Sequence, residues 1–228
     1  MNRKQLIAEF LGTMGIGFPP IAYGVIGSEH GLIGGALVSG FAVMVMVVTF
    51  GPISAAHLNP AVTIGFASAN RFPWSRVPSY IGAQLAGSLS AALLAALVFR
   101  PGVGAPTPMF IGDWVRNILL EAIITFFLML VIMAVATVRG GNVATAALGI
   151  GMAVVAGVLA GGPMTGAAMN PARAFGPALL TMGSALVALP VFIVGPIVGA
   201  VIAARVYESV RLDPDSAQSA PAPLNSEY

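Results

Sequence analysis

The 228 residues contain no cysteine, which excludes disulfides, thiolate metal centres and a cysteine nucleophile. Charge is nearly as scarce: 8% of residues are Asp, Glu, Lys or Arg, against roughly 25% in soluble domains. A charged, solvated surface around one core is therefore excluded. Histidine is limited to His30 and His57, which lack metal-ligand spacing, so neither a metal nor a cofactor is expected. No Gly-x-Ser-x-Gly elbow occurs, and the chain is not expected to be an enzyme. Ten basic residues are spread thinly over a net charge of +2, which gives no footprint for nucleic acid.

What is present is apolar and small. Hydrophobic residues make up 57% of the chain and glycine contributes 28 residues, a composition suited to membrane helices that pack backbone to backbone. Six long apolar segments, 6–26, 32–50, 80–99, 115–138, 144–160 and 185–207, each match the roughly 17–25 residues needed to cross a bilayer. The first follows Arg3 and Lys4, carries Glu9 and lacks a convincing cleavage site, so it is expected to be a retained span. Residues 212–228 are rich in Pro, Ser and Ala and are expected to be a disordered cytoplasmic tail.

Two shorter segments, 59–69 and 170–181, open on the same tripeptide: Asn59-Pro60-Ala61 and Asn170-Pro171-Ala172. Asn is a strong helix N-cap, and Pro suits the first helical turn because its missing N–H costs nothing there. Each copy therefore predicts a short helix that enters the membrane without crossing it. Such backbone needs protein around it or a water-filled path beside it. Two half-helices starting at one depth would aim two positive dipole ends and two Asn amides at one region. That arrangement passes neutral molecules and opposes cations.

The two halves are repeats. Glu9-x-x-x-Thr13 opens the first and Glu121-x-x-x-Thr125 the second. The distance from Glu to Asn is 50 residues in one half and 49 in the other, and from Asn59 to Gln84 or Asn170 to Pro196 it is 25 and 26. Three spans per half force the second repeat to enter from the opposite face. The expected fold is an all-α membrane protein of six transmembrane helices and two re-entrant half-helices, an inverted three-helix repeat. It forms a single channel domain over 1–211, with repeats at about 5–100 and 115–208. With the N-terminus inside, Arg3, Lys4, Arg71, Arg76, Arg139, Arg205 and Arg211 are cytoplasmic, against Arg100 and Arg116 outside and Arg173 in the outer re-entrant loop. This bias predicts cytoplasmic N- and C-termini in the cell (inner or plasma) membrane.

The stretches Ala8-Glu9-Phe10-Leu11-Gly12-Thr13, Ile53-Ser54-Ala55-Ala56-His57-Leu58-Asn59-Pro60-Ala61-Val62-Thr63 and Gly166-Ala167-Ala168-Met169-Asn170-Pro171-Ala172-Arg173 resemble the major intrinsic proteins, the aquaporins and aquaglyceroporins, over about residues 4–211. Within that family the chain looks most like the nodulin-like intrinsic proteins and their bacterial relatives, from Val43-Met44-Val45-Met46, Arg71-Phe72-Pro73-Trp74 and Phe192-Ile193-Val194-Gly195-Pro196. The resemblance implies an aquaporin-like fold, one pore per subunit and a homotetramer in the lipid bilayer. It also implies water and small neutral solutes as the permeating partners.

Arg173 follows Asn170 by three residues. A charge at membrane depth costs roughly 2.5–3.5 kcal/mol unless it faces protein or water, so Arg173 is either a snorkelling side chain or a constriction donor. The resemblance favours the second, because the family's filter arginine falls on it. The same matching puts the other filter positions on Ser39, Val158 and Ala167. Strict water channels of the family are similar to one another in having an aromatic and a histidine at the first two, so Ser39 and Val158 imply a wider filter. Phe41 is the ring that would narrow it in a shifted register, leaving a strict water channel. Ala174 stands where glycerol facilitators carry Asp, which argues against a dedicated glycerol channel. Glycerol, urea and neutral arsenite, boric or silicic acid remain as expected solutes beside water.

Glu9 and Glu121 are intramembrane acids, either proton relays of a secondary transporter or acceptors for the re-entrant loops; the resemblance implies the loop-supporting role. His57 can line the inner vestibule, sense pH or serve as a structural hydrogen-bonder, and the last is expected.

Overall fold

A computed structural model of the chain describes residues 2–26, 31–99, 113–137 and 142–211. His30, Arg100, Arg139 and the expected tail at 212–228 lie outside the described residues. Among the described residues the fold is entirely helical: α1 (Arg3–Val25), α2 (Gly31–Ser54), α3 (Pro60–Ser68), a 3-10 turn (Trp74–Arg76), α4 (Val77–Phe99), α5 (Trp114–Thr137), α6 (Val143–Thr165), α7 (Pro171–Thr181) and α8 (Ser184–Val210). Six of these helices are long and apolar enough to cross a membrane. α3 and α7 are too short to do so.

The expected spans are all present, with two ends displaced. α2 runs on through Pro52 to Ser54 and α6 through Pro163 to Thr165, where Gly166 ends it in a left-handed conformation at φ 77°. Hydropathy falls before these last turns, yet the helices continue because their final hydroxyls, Ser54 and Thr165, are held by buried acceptors described below.

The packing is symmetric under exchange of the two repeats. α1 lies against α4 as α5 lies against α8, α1 against α2 as α5 against α6, and α3 against α8 as α7 against α4. α2 packs on α6 across the pseudo-twofold, and α3 meets α7 there. Each half-helix is thus seated mainly on the other repeat's last span. The central cluster follows this plan: Val62 and Phe66 of α3, Leu128 and Met129 of α5, Val154 and Val158 of α6, and Ala200 and Ala203 of α8 are buried together. The outer faces carry exposed Leu97, Val115, Phe127 and Val187, as expected for helices solvated by lipid or by another apolar surface.

At one end of the bundle, Arg71 grips Glu208 with two parallel hydrogen bonds, Nε to Oε1 at 2.7 Å and Nη2 to Oε2 at 2.9 Å. Arg211 reaches the same carboxylate at 2.9 Å. The loop after α3 is thereby tied to the last turn of α8, at the end that also holds Arg76.

Candidate functional site

Asn59 and Asn170 are N-caps of α3 and α7, with Pro60 and Pro171 in the first turn. Each Oδ1 accepts from the backbone N–H two residues on, that of Ala61 or Ala172, at 2.9 Å. Each Nδ2 then reaches across the pseudo-twofold: Asn59 donates to the carbonyl of Met169 and Asn170 to the carbonyl of Leu58, both at 2.9 Å. An amide nitrogen has two hydrogens, and these bonds use one apiece. Both side chains line a cavity of about 300 Å³, so the second hydrogen of each can be offered to an oxygen inside it. The two helix N-termini add positive potential at the same place.

The loops that deliver these residues are strained in matching ways. Ala55, Ala56 and Leu58 have φ of 65°, 45° and 50°, while Gly166, Ala167 and Met169 have 77°, 47° and 50°. Non-glycine residues at positive φ cost of order 1–3 kcal/mol each and persist where neighbours over-determine them. The neighbours are the two buried acids. Glu9 accepts Ser54 Oγ (2.6 Å) and His57 N (3.0 Å) on Oε1, and Leu58 N and Gln84 Nε2 (both 2.7 Å) on Oε2. Glu121 accepts Thr165 Oγ1 (2.6 Å) and Ala168 N (3.0 Å) on Oε1, and Met169 N (2.8 Å) on Oε2. The one missing partner has a sequence cause: the position that corresponds to Gln84 is Pro196, which has no amide to donate. Ser54 and Thr165, five residues before each Asn, were not singled out from the sequence. Their place in both repeats was the available signal.

His57 stacks on Phe66 with ring centroids 4.9 Å apart and lies 4.8 Å from Phe72 and 5.2 Å from Tyr80. Its Nδ1 is 3.2 Å from Thr63 Oγ1. It also borders the cavity, so the ring is both a buried hydrogen-bonder and part of the wall.

Arg173 borders the cavity beyond the two asparagines. Its Nη1 donates to the carbonyls of Ala167 (3.3 Å) and Ala168 (3.2 Å), and Nη2 to Ser39 Oγ (3.4 Å). Ser39, Ala167 and Arg173 are therefore together. Ala167 meets the guanidinium with its carbonyl, while a Cβ built on Gly161 would lie 3.4 Å from its methyl, so the methyl faces α6. Val158 is buried on α6 in the apolar cluster that includes Ala167. Phe41 is 52% exposed on the outer face of α2, and no ring of α2 stands beside Arg173.

The cavity wall is sided. Val43, Val47, Leu128, Ile132, Ile150 and Val154 present hydrocarbon, and His57, Asn59, Asn170 and Arg173 present polar groups, with Asn142 at the start of α6. Among the described residues no cluster of His, Asp or Glu could hold a metal ion.

An inverted repeat of six membrane-long helices, with two half-helices joined asparagine to carbonyl beside a sided cavity, defines a multi-pass membrane protein of the channel-forming class. The major intrinsic protein family model matches residues 1–207, and the chain belongs to that family of channels. It is similar to aquaporin NIP1-4 of Oryza sativa subsp. japonica, 43% identical over 217 residues that span 93% of this chain and 78% of that protein. Aquaporin NIP6-1 of Arabidopsis thaliana is 42% identical over 213 residues, 92% of this chain and 69% of that protein. The expected likeness to the nodulin-like group is thus found. The X-ray structure of the aquaglyceroporin from Plasmodium falciparum superposes with a TM-score of 0.81 over 91% of this chain and 96% of that one. At 24% identity this likeness shows the fold.

Proposed function

We propose that the chain is a passive pore for water and for small uncharged solutes, namely glycerol, urea or neutral hydroxides such as arsenite, boric or silicic acid, and that it excludes protons and ions. The observation that carries this reading is the company of Arg173. Its guanidinium is bounded by a hydroxyl and two backbone carbonyls, and among the described residues no ring of α2 narrows the gap. A polyhydroxyl solute can exchange hydration for contacts with Arg173 and Ser39 while its carbon face meets the valine-lined wall. Cations meet a fixed charge there and two dipole ends at Asn59 and Asn170. Water turns its oxygen toward the asparagines, which interrupts a continuous proton wire.

The same reading puts the channel in a cell membrane as a homotetramer, with both termini cytoplasmic. The cluster of Arg71, Arg76 and Arg211 at one end of the bundle supports that orientation, and the exposed apolar faces leave room for subunit contacts.

Stopped-flow light scattering on proteoliposomes tests the pore. Water shrinkage should be fast, and reswelling with glycerol, urea or a neutral metalloid hydroxide should follow at rates well above those of empty vesicles. Fast water flux with every larger solute excluded would make it a strict water channel.

A further inference from the structure

α4 carries Gln84 and, one turn later, Ser88. Gln84 serves the first re-entrant loop through Glu9 and Thr63. Ser88 serves the other half-helix, and it does so at an unusual place. Its hydroxyl donates to the carbonyl of Ala172 and accepts from the N–H of Gly176 at 3.0 Å. Ala172 and Gly176 are four residues apart, the spacing of a helix's own ladder bond. The Ser88 oxygen, 2% exposed, therefore bridges that rung from the side. Arg173 lies inside the bridged turn.

The next rung is also irregular. The carbonyl of Arg173 would normally accept from residue 177, which is Pro177 and has no N–H. Around Arg173 the backbone of α7 thus has one rung bridged from outside and one without its ladder donor. Gly176 makes the close approach possible, since a Cβ there would fall on the backbone and hydroxyl of Ser88.

Nothing of the kind occurs at the repeat-equivalent place. Gly65 corresponds to Gly176, and the helix facing it offers Ala200, whose carbonyl would lie 3.3 Å from an added Cβ and which has no hydroxyl. The position equivalent to Pro177 is Phe66, which keeps its N–H. The extra device belongs only to the half-helix that carries the arginine.

We propose that Ser88 is a positioning residue for selectivity: by bridging Ala172 and Gly176 it fixes the backbone turn from which Arg173 reaches the cavity, and so sets the gap between the guanidinium and Ser39. This rests on Arg173 lining the constriction, as proposed above. Without the hydroxyl, the Ala172 carbonyl and Gly176 N–H lose their partner on α4, and the turn is free to shift.

The test is a double-mutant cycle read as the ratio of glycerol to water permeability in proteoliposomes, on purified full-length protein. Arg173→Val alone should change the ratio and raise cation leak; if it changes neither, the constriction assignment fails, whatever Ser88 does. Given that change, Ser88→Ala should shift the ratio by about fivefold, the scale of a lost buried hydrogen bond. The same substitution should have no further effect in the Arg173→Val background. Ser88→Cys keeps the size with a weak donor and should behave as Ser88→Ala, so it serves if the alanine variant does not fold. Ser88→Thr, which restores a hydroxyl, should bring the ratio back toward wild type. A ratio unchanged by both Ser88→Ala and Ser88→Cys, or an equal shift with and without Arg173, overturns the proposal.

Discussion

In the proposed filter Ser39 and Val158 are small where a ring would close it, and on that proposal the width of the pore turns on the difference. Ser39 holds Nη2 of Arg173 at 3.4 Å and fills little of the space beside it. Replacing Ser39 with Phe and Val158 with His puts one ring beside the guanidinium and a second on α6, where the proposed filter has Val158. Water fits past rings that a three-carbon polyol does not, so glycerol flux should fall by more than about tenfold relative to water, since poor steric fit is worth at least that in a packed site. Stopped-flow rates for water and glycerol on the same vesicles measure it. Equal losses for both solutes would mean that these two positions do not face the path. The side-chain identities at this site were legible in the sequence, because Asn59, Asn170 and Arg173 sit at marked positions of a repeat. The backbone's part was not. Ala167 is expected at the filter as a small side chain, and the structure adds its carbonyl, which accepts from Arg173 at a residue with φ of 47°. No propensity predicts a left-handed alanine; only the buried carboxylate of Glu121 beside it explains one.

Helices meet here at glycine, and their closest approaches repeat. A Cβ on Gly87 of α4 would overlap the Phe10 carbonyl of α1 and lie 3.1 Å from Met14 N; one on Gly199 of α8 would overlap the Ala122 carbonyl of α5 and lie 3.0 Å from its Cα. These neighbours are backbone and cannot rotate away. Gly87→Val and Gly199→Val should each destabilise by at least the roughly 1–3 kcal/mol typical of overpacking, seen as a lower thermal unfolding midpoint in detergent. Gly82, where a Cβ meets nothing within 4 Å, is the control, and Gly82→Ala should leave the midpoint unchanged. Were Gly82→Ala as damaging as Gly87→Val, close approach would not be the cause. The element order was readable because apolar runs and Asn-Pro caps are local signals. The ends of α2 and α6 were not, since Ser54 and Thr165 extend them by bonding to acids more than forty residues away.

Across the whole molecule, the inverted repeat fits two classes of protein, and the use made of its acids separates them. A transporter needs a site that two arrangements of the fold expose in turn, with an acid or ion coupled to the change. In this chain the buried acids among the described residues are Glu9 and Glu121. Glu9 holds four donors and Glu121 three, all from their own loops and neighbouring helices. Releasing either would free strained left-handed residues, so neither is available to bind and release a proton in each cycle. The two half-helices are also tied to each other through the reciprocal bonds of Asn59 and Asn170. Rocking one repeat against the other would break both bonds in a buried setting. A fixed path is therefore the cheaper state, and solute should cross it by diffusion alone. Flux of glycerol or urea into proteoliposomes should rise in proportion to the gradient without saturating. Imposing a proton or sodium gradient of either sign should leave the rate unchanged. Accumulation of solute above its outside concentration, driven by either ion, would mean that an acid does titrate during transport. The loops around Glu9 and Glu121 would then have a second arrangement, and the chain would be a coupled carrier.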